Sequence, residues 1–289
     1  MSSDVFSEIL NGLYENQVVP YLGPGALFDA SNKLTGAAMP ADSNSLILAM
    51  NNGKPMAPKL MYEFPRAAMN QELKKGRNFL GQFLTKLYGE TEWTRAAIHD
   101  WLAEWKPAYV IDINRDTQLQ DSYADEEHTL IVGVARITAS QFRFKIYHFD
   151  GSDYFEIPQE QVDSRLPILF KPMGTPKPEA NYIASDADYV DYITELMGGF
   201  AIPDFLKEYR KGKQYLFIGM PLNRDSERMV MSDIVYGAAE KKGWVLNKNP
   251  TDKEQRFCKK IGLEIIDAGV EELLEAVNSG IHCVADVPL

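Results

Sequence analysis

Val18-Val19-Pro20-Tyr21-Leu22-Gly23-Pro24-Gly25-Ala26-Leu27 is the most informative segment of this chain, because an apolar run passes directly into two glycines. Such a run predicts a buried strand that ends in a tight loop. Glycine at Gly23 and Gly25 lets the backbone turn sharply and approach a phosphate, since a Cβ would block both. A strand end that only turns over the core fits the same pattern, so this segment alone leaves both interpretations open.

Composition narrows the class of protein. The chain has 289 residues, of which 45% are hydrophobic and 25% charged, as in ordinary globular proteins. Its net charge of −11 disfavours a nucleic-acid partner, which needs a concentrated basic face. No apolar run approaches the roughly 20 residues that span a bilayer, and the first residues show no secretory signal. We therefore expect a cytoplasmic protein without a membrane or nucleic-acid partner.

The two cysteines, Cys258 and Cys283, are too few for a four-thiolate zinc site. They do not form a Cys-x-x-Cys pair, and small buried thiols explain them. We expect no metal.

Apolar strands alternate with amphipathic helices along most of the chain. Strands are predicted at 17–22, 109–114, 166–174, 215–219, 244–247 and 263–267, and helices at 4–16, 186–197, 203–211, 226–242, 251–261 and 270–278. This alternation predicts one α/β domain, residues 1–289, with a doubly wound (Rossmann-like) parallel sheet. Ligands of such sheets bind at the carboxyl ends of the strands.

Two segments interrupt the alternation. Helical stripes of aromatic and aliphatic residues predict a helical insertion at about 28–105. Alternating strands near 129–137, 142–148 and 153–157 predict a β-rich insertion at about 120–165.

The strand ends, taken in order, resemble the bacterial sirtuin-like family of NAD-binding domains. Residues 23–27 are similar to the family's Gly-Ala-Gly-x-Ser loop, with leucine in place of serine, and residues 110–116 to its Thr-Thr-Asn-Tyr-Asp strand. Residues 171–174 are similar to Lys-x-His-Gly, with Met173 in the histidine position. Residues 217–225 are similar to Phe-x-Gly-x-x-Leu-x-x-Asp.

The resemblance implies that NAD, or a related adenine nucleotide, lies across the strand ends. Its pyrophosphate would lie near the glycine loop, where backbone N–H groups favour negative charge. The implied cofactor-binding residues are Gly23, Pro24, Gly25, Ala26, Asn114, Met173, Gly219 and Asn247. The zinc module of true sirtuins would lack its cysteines here.

Asn114 and Asp116 match polar residues of the family motif. The amide of Asn114 can hold the nicotinamide ribose or a water, because it both donates and accepts hydrogen bonds. Both residues would be catalytic only if the protein is active. Alternatively, they only cap a helix that starts at Thr117.

Met173 cannot act as the acid–base group that the family histidine supplies, because its thioether carries no proton. Of the histidines His99, His128, His148 and His282, we consider His148 for the site and expect packing or solvent roles for the set. Asp112 lies in an apolar strand and would be costly to bury unpaired, so we expect Arg115 or Arg224 as its partner.

Three hypotheses follow from the sequence. The first is a nucleotide-binding sensor or accessory protein without efficient deacylase or NAD-hydrolase activity, with a possible protein partner or homo-oligomer. The second is an active NAD glycohydrolase that uses Asn114 and Asp116. The third is an assembly protein with a vestigial cleft.

Overall fold

The structure, a computed structural model, describes residues 2–138 and 140–279. The predictions for His282 and Cys283 lie outside the described residues. In this part of the chain, none of the helices combines the length and apolar character needed to cross a membrane.

The strands and helices follow the predicted alternation. The strands are β1 (Val18–Leu22), β2 (Tyr109–Asp112), β3 (His128–Gly133), β4 (Phe144–Phe149), β5 (Tyr154–Glu156), β6 (Ile168–Lys171), β7 (Gly174–Thr175), β8 (Asn181–Tyr182), β9 (Gln214–Ile218), β10 (Gly243–Leu246) and β11 (Leu263–Ile266). The helices are α1 (Ser2–Tyr14), α2 (Ser43–Met50), α3 (Phe64–Lys75), α4 (Arg77–Thr85), α5 (Ala97–Trp105), α6 (Gln118–Asp121), α7 (Asp186–Gly198), α8 (Asp204–Tyr209), α9 (Asp225–Ile234), α10 (Asp252–Ile261) and α11 (Val270–Asn278). Short turns of 3-10 helix cover Pro24–Leu27 and Gln159–Gln161, and a π-helical turn covers Lys86–Glu90.

One nine-stranded sheet forms the centre of the molecule, in the order β11-β10-β9-β1-β2-β6-β3-β4-β5. Pairing is parallel from β11 to β3, whereas β4 and β5 add antiparallel strands at one edge. The prediction of a doubly wound, mostly parallel α/β sheet is confirmed.

The sheet is buried on both faces because side chains alternate along each strand. In β1, Val18 and Leu22 pack in a core with α1, α5 and α11. Val19 and Tyr21 point into a second core with α7, α9 and α10. A strand that is buried on both faces has an uninterrupted apolar sequence, as β1 does.

Both predicted insertions contribute to this sheet and its cores. Helices α2–α5, within residues 28–105, pack in the same core as α1 and α11. Within residues 120–165, β3 pairs with β6 in parallel, and β4 and β5 continue the sheet beyond it.

The chain reverses its direction of winding at β1. From β1 it continues to β2 on one side, and after β6 it crosses to β9 on the other side. Parallel sheets open a crevice at such a switch point, beyond the carboxyl ends of the two strands. The topology therefore opens a crevice beside Gly23 and Gly219.

Candidate functional site

The glycine loop after β1 packs directly against the turn after β9. The Gly23 N–H donates to the Ile218 carbonyl (2.9 Å), and the Gly25 N–H donates to the Gly219 carbonyl (2.8 Å). Gly219 has φ +64°, and a Cβ on it would lie 2.3 Å from the Ala26 nitrogen. Glycine is needed here because two backbones touch. The Gly23 and Gly25 amides, expected to face a phosphate, are hydrogen-bonded within the protein.

A cleft of about 560 Å³ opens at this switch point. It reaches from the glycine loop across the carboxyl ends of β9, β10 and β11. Of the predicted binding residues, Pro24, Gly25, Gly219 and Asn247 line it. Gly23 and Ala26 are buried beside it in the loop.

The polar groups of the cleft suit hydroxyl groups better than phosphate. Among the described residues that line it, Lys248 is the one cation, and its ammonium pairs with Glu272 at 2.6 Å. The carboxylate of Glu254 is engaged within the protein, because it accepts hydrogen bonds from the Thr251 and Leu222 N–H groups (2.9 and 3.1 Å). Phe28, which is 49% exposed, adds an aromatic surface.

Asn114 and Met173 lie together, in a second space. Both line a cavity of about 40 Å³ that also contacts Arg115, Tyr189 and Glu227. Pro24 lines this cavity as well as the cleft, so the glycine loop forms the wall between them. The predicted site residues are therefore divided between two adjoining spaces.

Asn114 is fixed by hydrogen bonds to the end of β2 and to the glycine loop. Its side-chain amide donates to the Gly23 carbonyl and to Asp112 Oδ1, each at 2.9 Å. Asp112 Oδ1 also accepts from the Asn114 N–H at 2.9 Å. This geometry holds the Asn114 side chain at the junction of the cavity and the glycine loop.

The partner of Asp112 is Lys171, so the prediction of Arg115 or Arg224 is wrong. The Lys171 ammonium lies 2.6 Å from Asp112 Oδ2, and both side chains are fully buried. Arg115 instead donates to the Ile183 carbonyl, and Arg224 lies over the Tyr62 ring. Burial raises the pKa of Asp112, and the nearby ammonium opposes that increase.

Asp116 begins the turn into α6. Its Oδ1 accepts from the Gln118 N–H at 2.8 Å, which is an Asx-turn contact just before the helix, whereas the N-cap position of α6 is Thr117. It is 1% exposed, and its other oxygen has no hydrogen-bond partner among the described residues. Asp116 does not line the cavity that contains Asn114.

The ring of His99 lies close to the carboxylates of Asp112 and Asp116. Its ring is fully buried on α5, and neither ring nitrogen has a partner among the described residues. Ligand atoms of His99, Asp112 and Asp116 lie within 4.8 Å of one another, a spacing that could hold a metal ion. The Lys171 ammonium already neutralises Asp112, so a cation there would have to compete with it. Burial lowers the pKa of His99 to about 4, so the ring is neutral near pH 7.

The other described histidines lie elsewhere in the sheet. His148 is on β4, and β6 and β3 separate that strand from β2. His128 bonds to the Tyr154 hydroxyl through Nε2 at 2.7 Å. The hypothesis that His148 reaches the site finds no support in this topology. Cys258 is a buried free thiol.

The topology and the cleft define a doubly wound α/β protein with an open cleft at its switch point. The family model described as SIR2-like domain matches residues 108–266, more than half of the chain. The chain therefore belongs to the SIR2-like domain family. No curated protein matches it. The matched residues include Asn114, Met173, Gly219 and Asn247. The glycine loop precedes the matched residues, but it follows β1, which pairs in parallel with β2 and β9 inside the match.

Proposed function

We propose that this chain binds NAD or a related adenine nucleotide, such as ADP-ribose, in the switch-point cleft. The observation that carries the proposal is the cleft itself, which opens between Gly25 and Gly219 in a SIR2-like fold. Its volume of about 560 Å³ is in the range of small-molecule sites. Its position at the switch point is where doubly wound sheets bind their ligands.

The lining residues fit the parts of such a nucleotide. Phe28, Leu246 and Val270 offer apolar and aromatic surface to a base. Asn247 and Glu271 offer hydrogen-bonding groups to ribose hydroxyls, and their chemistry suits that task. Because the cleft has little positive charge, we expect the base and ribose to supply most of the affinity.

We further propose that the protein acts as a sensor or accessory protein and is not an efficient deacylase or NAD hydrolase. This proposal rests on Met173, which faces the cavity beside Asn114 where the family resemblance places a histidine. A thioether can neither accept nor deliver a proton. The glycohydrolase alternative would need Asn114 to act without Asp116, which lies outside the cavity lining.

Titration calorimetry with NAD, ADP-ribose and FAD tests the binding proposal. We expect at least one of these nucleotides to bind at millimolar concentration or below. Asn247→Ala should weaken binding about 2- to 10-fold, the value of one or two hydrogen bonds. Asn278→Ala is the matched control, because Asn278 is exposed at the far end of α11 from the cleft. No binding of any of the three would refute the proposal.

Light scattering of the same samples measures the oligomeric state, which distinguishes the assembly hypothesis from the nucleotide-binding proposal. A nucleotide-insensitive oligomer that binds none of the three ligands would favour an assembly protein with a vestigial cleft.

A further inference from the structure

A third space, of about 220 Å³, opens at the turn from β2 into α6. Its walls come from the segment between the π-helical turn and α5 (residues 91–95) and from the turn itself (residues 116–118). We call it the Asp116 cavity; it shares no described lining residue with the switch-point cleft. Sites for drug-sized ligands begin at roughly 300 Å³, so this cavity suits a smaller molecule.

Asp116 gives the cavity a buried carboxylate with an unused oxygen. The residue is 1% exposed, and its Oδ1 accepts from the Gln118 N–H. No group of the described residues bonds to Oδ2. A buried carboxylate oxygen without a partner is costly, and each such group in a folded protein needs an explanation. A ligand that donates a hydrogen bond to Oδ2 would remove this cost.

The cationic side chains that line the Asp116 cavity are engaged with other carboxylates. The Lys33 ammonium lies 3.9 Å from Glu92, and Arg95 Nε lies 2.8 Å from Asp100. In the part of the chain that the structure describes, neither of them forms an ion pair with Asp116. Their charges are therefore balanced without it.

The groups on the protein side of Asp116 do not neutralise it either. The Lys171 ammonium pairs with Asp112, and the ring of His99 is neutral near pH 7 because burial lowers its pKa to about 4. Asp121, which also lines the cavity, adds a second carboxylate. The cavity therefore has an excess of negative charge, which attracts a cation.

Aromatic side chains form another part of the wall, and they favour an organic cation over a metal ion. Tyr88 and Trp93 line the cavity. Their polar atoms are used within the protein, because the Tyr88 hydroxyl donates to the Pro40 carbonyl at 2.5 Å and the Trp93 indole N–H to the Leu87 carbonyl at 2.7 Å. The ring surfaces remain for a ligand, and aromatic faces attract organic ammonium groups.

We propose that the Asp116 cavity binds a small organic cation, an alkyl ammonium that donates a hydrogen bond to Asp116 Oδ2 and packs its carbon chain against Tyr88 and Trp93. Charge and hydrogen bonding select the ammonium group, and the aromatic wall selects the chain. The cavity lies outside the switch-point cleft, so this inference does not depend on nucleotide binding.

Titration calorimetry near neutral pH with n-butylammonium chloride tests the proposal. The matched neutral probe is 1-butanol, which has the same carbon chain without the charge. We expect butylammonium to bind with a Kd of about 1 mM or below, and butanol at least about 10-fold more weakly, because a hydrogen bond to a charged group is lost. Magnesium chloride and potassium chloride, each added alone, show whether a metal ion binds instead.

Three variants locate the site. Asp116→Asn retains the shape of the side chain and an oxygen for the Gln118 N–H, but it removes the negative charge. It should weaken butylammonium binding about 10-fold or more without lowering the unfolding temperature. Trp93→Leu should weaken binding about 2- to 5-fold. Asp153→Asn, at an exposed carboxyl between β4 and β5, is the control and should bind as the unsubstituted protein does.

Several results would overturn the inference. One is equal binding of butylammonium and butanol, and another is undiminished binding in a folded Asp116→Asn variant. A third is the absence of butylammonium binding at about 10 mM, and a fourth is Asp116-dependent binding of magnesium or potassium ions alone. If Asp116→Asn does not fold, the comparison of the two probes and the loss of affinity in Trp93→Leu decide. NAD binding should be the same in all three variants, so the two proposals succeed or fail separately.

Discussion

The ammonium of Lys171 lies 2.6 Å from Asp112 Oδ2, and both side chains are fully buried between β6 and β2. Asp112 in turn holds the Asn114 amide, which reaches the Gly23 carbonyl. One chain of contacts therefore joins β6, β2 and the glycine loop. The Lys171–Asp112 ion pair therefore positions Asn114 through contacts that lie entirely within the protein.

Lys171→Met should destabilise the protein by about 3–5 kcal/mol, because it leaves the buried Asp112 charge without a partner. The double variant Lys171→Met with Asp112→Asn should recover much of this loss, since no buried charge remains. Urea unfolding gives the free energy of unfolding of the single and the double variant. Lys211→Met is the control, because its pair with Glu208 is exposed and such pairs contribute less than about 1 kcal/mol. Equal losses in Lys171→Met and Lys211→Met would contradict the ion-pair argument.

Gly219→Ala should cost several kcal/mol or prevent folding. The new Cβ would meet the Ala26 nitrogen at 2.3 Å, and φ is +64°. Gly212→Ala isolates the steric part, because Gly212 has φ +73° but nothing within 4 Å of its Cβ position. This control should lose only about 1–2 kcal/mol. Thermal unfolding compares the stability of Gly219→Ala with that of Gly212→Ala. Similar losses of stability in the two variants would show that the contact between the loops is unimportant.

Stability should fall in acid as His99 becomes protonated on unfolding. Its pKa is about 4 in the folded protein and about 6.5 in an unfolded chain, so the unfolded state binds more protons between these values. The loss for His99 is up to about 3 kcal/mol as the pH falls from 6.5 to 4. His128, whose pKa burial also lowers to about 4, adds to the same window.

His99→Gln should therefore reduce the pH dependence of the unfolding free energy between pH 4 and 6.5 without abolishing it. His148→Gln is the matched control, at a half-buried strand position. It leaves the buried rings of His99 and His128 in place, so the pH dependence should be retained. An unchanged slope in His99→Gln would mean that folding does not lower the pKa of His99.

Met173→His should increase nicotinamide release at neutral pH by about 10²-fold, because it places a group that titrates near pH 7 beside Asn114. Met220→His is the control, since Met220 is equally buried but lines the nucleotide cleft. Product chromatography at pH 7 measures the release. If neither variant gains activity while both bind NAD, Met173 does not occupy a catalytic position.

Strand positions and the glycine loop could be predicted from the sequence because buried parallel strands are continuous apolar runs with abrupt glycine ends. The partner of Asp112 could also have been found. Asp112 and Lys171 each end an apolar strand, and the register that pairs Ile111 with Phe170 puts them side by side. We had expected an arginine from a loop after a strand, Arg115 or Arg224, whereas the partner is the lysine at the end of the neighbouring strand.

The surroundings of His99 and of Glu227 could not be predicted from the sequence. Each residue lies on a helix whose sequence pattern indicates only that the helix is amphipathic. Their chemistry comes from burial and from neighbours distant in the chain, such as Asp116 beside His99 and Glu63 beside Glu227. Only the three-dimensional packing supplies that information.

Hydrogen–deuterium exchange with and without saturating NAD is the sharpest test of a nucleotide site at the switch point, because it locates the ligand as well as detecting it. We expect slower exchange in the glycine loop around Gly25, after β9 around Gly219, and in the loops that follow β10 and β11. Exchange at the β4–β5 edge should not change. Protection confined to other surfaces, or no protection at a concentration that saturates binding, would contradict a nucleotide site at the switch point.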